Sequence, residues 1–121
     1  IPSEILAMAD EYEGYIKGRI GCNFPVRTSH PLFQPSTKYV IIYKKSDRLT
    51  MLHELQHARY YLDEGFRQEV QTLWDNIYPR SQKQILALLK RMGYPDHVLL
   101  DEFQAYYHTE RSLFGKIRMC S

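Results

Sequence analysis

Two histidines and a glutamate near the centre of the chain have the types and spacing of a catalytic metal site. They belong to the pentapeptide His53-Glu54-Leu55-Gln56-His57. On an α-helix, positions i and i+4 share one face, so the two imidazoles can bind a single Zn²⁺ ion. Glu54 lies beside them and can act as a general base toward a water molecule that zinc activates. The pattern therefore predicts a zinc site that hydrolyses peptide bonds.

The residues around this motif favour a helix over about 48–63, which Ser46 or Asp47 would cap. At a helical spacing, four apolar side chains fall on one side of it and the histidines fall on another. The apolar side consists of Leu52, Leu55, Ala58 and Leu62. We expect that side to pack on a core while the histidines face a cleft. The alternative is a surface helix that carries two histidines by coincidence.

A third metal ligand must come from elsewhere, because a catalytic zinc ion normally takes three protein ligands and keeps one open position. A helix predicted over about 97–113 has an apolar face, and Glu102 lies at its edge. Asp101 and His108 lie on the opposite side, toward solvent. We therefore predict Glu102 as the third ligand, and Asp101, His97 and His108 remain alternatives.

The motif together with the downstream Glu-x-x-Ala, here Glu102 to Ala105, resembles the gluzincin pattern of zinc peptidases, and the short chain resembles minigluzincins. The resemblance implies that His53, His57 and Glu102 bind zinc and that Glu54 is the catalytic base. It also implies that the strand before the motif helix borders the cleft and pairs with extended substrate. The segment Tyr39–Tyr43 stands in that place.

One position departs from the gluzincin pattern. Many gluzincins have an aspartate four residues after the glutamate ligand, and this chain has Tyr106 there. Tyr106 lies one turn from Glu102, and its phenol could donate a hydrogen bond to a developing oxyanion. We predict this catalytic role for Tyr106, with ordinary core packing as the alternative.

The length and composition favour one folded domain over residues 1–121, since the chain is 44% hydrophobic. The predicted fold is mainly α, in the α+β class, with about five helices and a small sheet of two or three strands that edges the cleft. The residue patterns place helices and strands along the whole chain. Helices are expected at about 3–20, 48–63, 66–77, 81–93 and 97–113, and strands at 24–27 and 37–43.

The charge and the apolar runs exclude some classes of partner. A net charge of +2 with interspersed acids and bases argues against nucleic acid. No apolar run approaches the roughly 20 residues that span a bilayer. We expect a monomer that acts on a peptide or protein, with the cytoplasm favoured over other compartments, although the chain could be part of a larger protein. Cys22 and Cys120 could pair or remain free thiols.

Two other functions fit parts of the pattern. The first is a non-enzymatic interaction module with a structural or vestigial zinc site, which would not need the base Glu54. The second is a protease of the SprT and Spartan group, which acts on DNA–protein crosslinks and also has a His-Glu-x-x-His helix. That group uses a third histidine nearer the motif, and no histidine of this chain is suitably placed.

Overall fold

Residues 4–10, 21–25 and 38–120 are described by a computed structural model of the chain. They belong to two units, residues 1–62 and residues 63–121. The architecture is mainly helical with a small sheet, which confirms the predicted α+β class. One domain over residues 1–121 stays a prediction. Within the described ranges, no helix combines the length and the apolar character needed to cross a membrane.

The first unit is built on a three-stranded sheet with the order β1-β3-β2. Its strands are β1 (Ile5–Asp10), β2 (Gly21–Pro25) and β3 (Tyr39–Lys44). β3 runs parallel to β1 and antiparallel to β2. The predicted strand at 37–43 is confirmed as β3, whose β-branched and aromatic residues suit a sheet. The shorter strand predicted at 24–27 overlaps β2, and residues 26 and 27 lie outside the described ranges.

The helix predicted over residues 3–20 is wrong for the first part of its range. Residues 5–10 form β1, which pairs with β3 from Ile5 opposite Tyr39 to Asp10 opposite Lys44. The leucine, methionine and alanines of this segment are good helix formers, but tertiary context can override such local preferences. Here β3 supplies the backbone partners that stabilise an extended chain. Residues 11–20 lie outside the described part of the chain.

The position of β3 corrects a second expectation. The segment Tyr39–Tyr43 was predicted as the strand that edges the cleft and pairs with substrate. Instead β3 is the central strand, with β1 on one side and β2 on the other. Its backbone donors and acceptors therefore already have partners along both sides. A substrate strand cannot be added to β3 without displacing one of its neighbours.

The helix α1 (Arg48–Leu62) follows β3 after a short turn and packs on β3 and β2. The range agrees closely with the predicted 48–63. Side chains at three- to four-residue intervals on α1 join the buried side chains of the sheet in one apolar core. This core contains Ile5, Tyr39, Ile41 and Ala58, with Ala7, Met51, Leu55 and Leu62 packed against it. Three of the four predicted apolar positions of α1 therefore lie at this core, and Met51 takes the place of Leu52.

The second unit is helical and contains the other three predicted helices. These are α2 (Glu64–Asp75), α3 (Pro79–Arg91) and α4 (Leu99–Thr109), and short 3₁₀ turns flank α4 at Asp96–Val98 and Arg111–Phe114. α4 is shorter than the predicted 97–113 because the chain tightens into 3₁₀ geometry at both ends, as is common at helix termini. Among the described residues the molecule thus has four α-helices, one fewer than predicted.

The core of the second unit is formed by α3, α4 and the segments around them. Its buried members are Ile77, Ile85, Leu89, Leu99, Phe103 and Tyr106. Phe103 is fully buried and makes ring contacts with Trp74, Tyr107 and Phe114. The end of the chain returns to this unit, where the Tyr78 N–H donates to the Arg118 carbonyl at 2.7 Å. These contacts fix α4, which carries Glu102.

Candidate metal centre

The motif helix is fixed at its beginning by an aspartate cap. The backbone N–H of Thr50 donates to Asp47 Oδ1 at 3.0 Å, and the Thr50 hydroxyl donates to Asp47 Oδ2 at 2.6 Å. This confirms Asp47, one of the two predicted capping residues. The preceding residue, Ser46, has a φ of 72°, so the chain turns sharply between β3 and α1. The cap therefore sets where α1 begins relative to the sheet, and with it the position of the motif.

We expect Asp47→Ala to lower the free energy of unfolding by about 1 kcal/mol, because the backbone N–H of the buried Thr50 loses its acceptor. Urea denaturation followed by circular dichroism measures this difference. Asp75→Ala is the matched control, since the Asp75 carboxylate accepts an exposed hydrogen bond from Gln71, one helical turn away. The control should change the stability by less than about 0.5 kcal/mol. Equal effects of the two changes would contradict a capping role for Asp47.

The two motif histidines lie together on α1, as the spacing predicts. Both are only 5% exposed, and their Nε2 atoms are 3.1 Å apart. The rings meet edge to face, with centroids 4.8 Å apart. Two nitrogens bound to one tetrahedral zinc ion at 2.0–2.1 Å would be about 3.3 Å apart. The separation in the structure is close to that distance, so His53 and His57 can share one metal ion through these nitrogens with little movement.

Glu54 is buried beside the histidines, with 7% of its surface exposed. A glutamate is rarely buried, because a carboxylate loses its hydration there. A buried glutamate therefore has either compensating interactions or a chemical role. The two histidines lie near it on the same helix, so a carboxylate and two imidazoles are buried in one segment. This arrangement fits the predicted base, whose catalytic role stays a prediction.

Glu102 lies in the first turn of α4 in the second unit and is half-buried. The residues on either side of it along the helix include Leu99, Phe103 and Tyr106, which are buried in the core. Glu102 therefore lies at the edge of the buried face, as the sequence pattern indicates. The carboxylate oxygen Oε2 of Glu102 is itself buried.

The alternative ligands on α4 take part in a different network. Asp101 Oδ1 accepts a hydrogen bond from Gln104 Nε2 at 2.9 Å. The Nδ1 atom of His108 is 2.8 Å from the Gln104 carbonyl oxygen and 3.2 Å from Gln104 Oε1. His108 is exposed as predicted, whereas Asp101 is half-buried. Both side chains have a structural role on α4 that needs no metal. His97 is exposed in the 3₁₀ turn before α4.

Gln104 is a polar residue whose role on α4 is not among the sequence predictions. It is fully buried, and its amide joins Asp101 to His108. Its neighbours at i−3 and i+4 could have indicated this role, because residues at those separations meet on one helix face. Because all three residues lie on α4, these bonds fix the side chains relative to one another on one face of the helix.

Tyr106 is buried in the core of the second unit. Its hydroxyl oxygen is 2.7 Å from that of Tyr94, so one of the two phenols donates to the other. Its ring packs edge to face on Phe114. These contacts agree with core packing, the alternative that the sequence left open. A role for the Tyr106 hydroxyl as an oxyanion donor stays a prediction. In that role the Tyr106 hydroxyl would remain next to the Tyr94 hydroxyl.

The comparisons with known proteins give no relative for this chain. No family model matches it, and neither a curated protein nor a solved structure matches it.

Proposed function

We propose that this protein is a zinc-dependent endopeptidase in which His53, His57 and Glu102 hold the metal ion and Glu54 is the general base. Among the described residues, the first three form a possible metal-binding triad, in which each side chain offers one ligand atom. The set fits zinc, because imidazole nitrogens and a carboxylate oxygen are ligands that zinc accepts at catalytic sites. The observation that carries the proposal is the 3.1 Å separation of the two histidine Nε2 atoms.

The chemistry follows from the roles of the side chains. When bound, zinc supplies a Lewis acid that polarises a peptide carbonyl and makes water acidic enough to attack near neutral pH. Glu54 accepts the proton that the attacking water loses as the new C–O bond forms. The same carboxyl then gives this proton to the leaving amine as the C–N bond breaks. Tyr106 is proposed to donate a hydrogen bond to the oxygen that gains negative charge.

Substrate pairing is proposed at β2 instead of β3. β2 pairs with β3 along one side only among the described strands, and α1 packs on β2. Among the described residues, no strand pairs with the other side of β2. An extended peptide could add a strand there through backbone hydrogen bonds. Substrates that carry N-methyl groups on alternate backbone amides should therefore be cleaved poorly when the methylated amides face β2.

Zinc stoichiometry and affinity test the metal site. We expect about one zinc ion per chain in the wild type and almost none in His57→Ala. Glu102→Ala should weaken the affinity by more than the roughly 10- to 100-fold that loss of an outer partner costs. Glu69→Ala is the matched control, because Glu69 is an exposed glutamate in the same unit. Elemental analysis and competition with a chelating dye give both quantities.

The third ligand is assigned by two further variants. Asp101→Ala and His108→Ala should keep about one zinc ion per chain if Glu102 is the ligand. Full zinc affinity in Glu102→Ala would show that this glutamate is not a ligand. Loss of zinc in His108→Ala instead would assign a site of three histidines. Absence of zinc from the reconstituted wild type would contradict the proposal as a whole.

A further inference from the structure

A surface groove lies at the beginning of α3 in the second unit, and the proposed metal site does not use any of its residues. It has a volume of about 650 Å³. Its lining combines apolar surface with two cationic side chains. The residues are Tyr78, Pro79, Arg80, Gln82, Lys83 and Leu86. A concave surface with an apolar lining and a few charged groups is typical of a binding site.

The walls of the groove are held by interactions within the unit. Gln82 Nε2 donates to the Trp74 carbonyl at 2.8 Å, which ties α3 to the end of α2. The returning chain is fixed by the Arg118 N–H, which donates to Ser81 Oγ at 3.1 Å. The Arg118 guanidinium lies over the Tyr78 ring, 4.8 Å from its centroid. The groove is therefore formed before any ligand arrives, which lowers the entropy that is lost when a ligand binds.

The charged side chains that line the groove are all positive. Arg80 and Lys83 line it, and Arg118 lies over the Tyr78 ring that forms part of its wall. The sequence contains no aspartate or glutamate from residue 77 to residue 95. The first turn of α3 also has no acidic residue to offset the positive end of the helix dipole. Within the described part of the chain, Arg80 and Lys83 form no ion pair. A ligand with negative charge would complement this surface.

We propose that this groove binds an acidic peptide segment of a partner protein, with carboxylates at Arg80 and Lys83 and an apolar side chain against Pro79 and Leu86. The two cations are three residues apart on α3, so a peptide that crosses this turn can contact both. The apolar lining favours a peptide over a nucleic acid, whose phosphates would leave that surface unused. The net charge of only +2 also disfavours a nucleic-acid surface.

Fluorescence polarisation with the full chain tests the proposal. The probe is a short fluorescein-labelled peptide in which aspartates and glutamates flank a leucine. The double variant Arg80→Glu/Lys83→Glu should weaken binding by at least about tenfold, because two attractive contacts become repulsive. The matched control is Lys38→Glu/Lys44→Glu, which changes the net charge equally at two exposed lysines of the first unit. The control should change the affinity by less than about twofold at 0.15 M salt, because neither lysine lines the groove.

A second peptide tests the apolar part of the contact independently of any protein variant. Replacing its leucine with serine should weaken binding by about threefold to tenfold. Equal losses in the two double variants would overturn the proposal, since only net charge would then matter. An unchanged affinity of the serine peptide would overturn the apolar contact. Tighter binding of a single-stranded DNA oligomer or of vesicles with anionic lipid would assign the groove to another class of partner.

Discussion

Glu54→Gln should lower the rate of peptide hydrolysis by about 10²- to 10⁴-fold while the zinc content stays at the wild-type level. The amide has nearly the shape of the carboxylate, so it should fit the same buried position on α1. It cannot accept the proton of the attacking water, and this is the step the variant removes. A quenched fluorescent peptide library measures hydrolysis, and elemental analysis of the same samples measures zinc.

The matched control for this change is Glu69→Gln, which makes the same substitution at an exposed position of α2. It should keep full activity. Hydrolysis at the wild-type rate by Glu54→Gln would show that another group is the base. If zinc were lost as well, Glu54→Asp would separate the two effects, because the shorter side chain keeps the charge. A wild-type protein that binds zinc but cleaves no peptide would favour the non-enzymatic module.

Phe103→Ala should lower the free energy of unfolding of the second unit by about 3–5 kcal/mol. Phe103 is fully buried on α4, and its ring meets Trp74 edge to face at a centroid distance of 5.0 Å. The substitution removes these contacts and leaves a cavity at the centre of the core. Trp74 is the single tryptophan of the chain, so its emission reports directly on this packing during urea denaturation.

Leu113→Ala is the control for the core variant. Leu113 lies in the 3₁₀ turn after α4 and is exposed, so its removal should cost less than about 0.5 kcal/mol. A loss below about 1 kcal/mol in Phe103→Ala would mean that the core closes around the smaller side chain. It would contradict the tight aromatic packing described for this unit.

The elements with strong local signals could be predicted from the sequence. The motif helix was predicted at 48–63 and is found at Arg48–Leu62, because its cap and its apolar positions agree. β3 was predicted from a run of β-branched and aromatic residues and is found at Tyr39–Lys44. In both cases several local preferences indicate the same structure.

The parts that failed depend on partners distant in sequence. The segment 5–10 is rich in helix-forming residues, and it is a strand because β3 pairs with it. The central place of β3 could not be predicted, since strand order is not encoded in the pattern of a single strand. Gln104 is a different case, because its partners Asp101 and His108 are close in sequence and only its complete burial could not be predicted. The position of Glu102 at the edge of the buried face was predictable from the helical period alone.

The strand order β1-β3-β2 also sets a sequence of events during synthesis on the ribosome. β1 and β2 leave the ribosome first, but each pairs only with β3 among the described strands. A nascent chain that ends before residue 39 therefore has no strand for either of them to join. The sheet can assemble only when β3 emerges, and α1 follows within a few residues. The helix with the two histidines is thus synthesised directly after β3, the strand on which it packs. β1 and β2 stay unpaired, and exposed to aggregation, only until β3 is available.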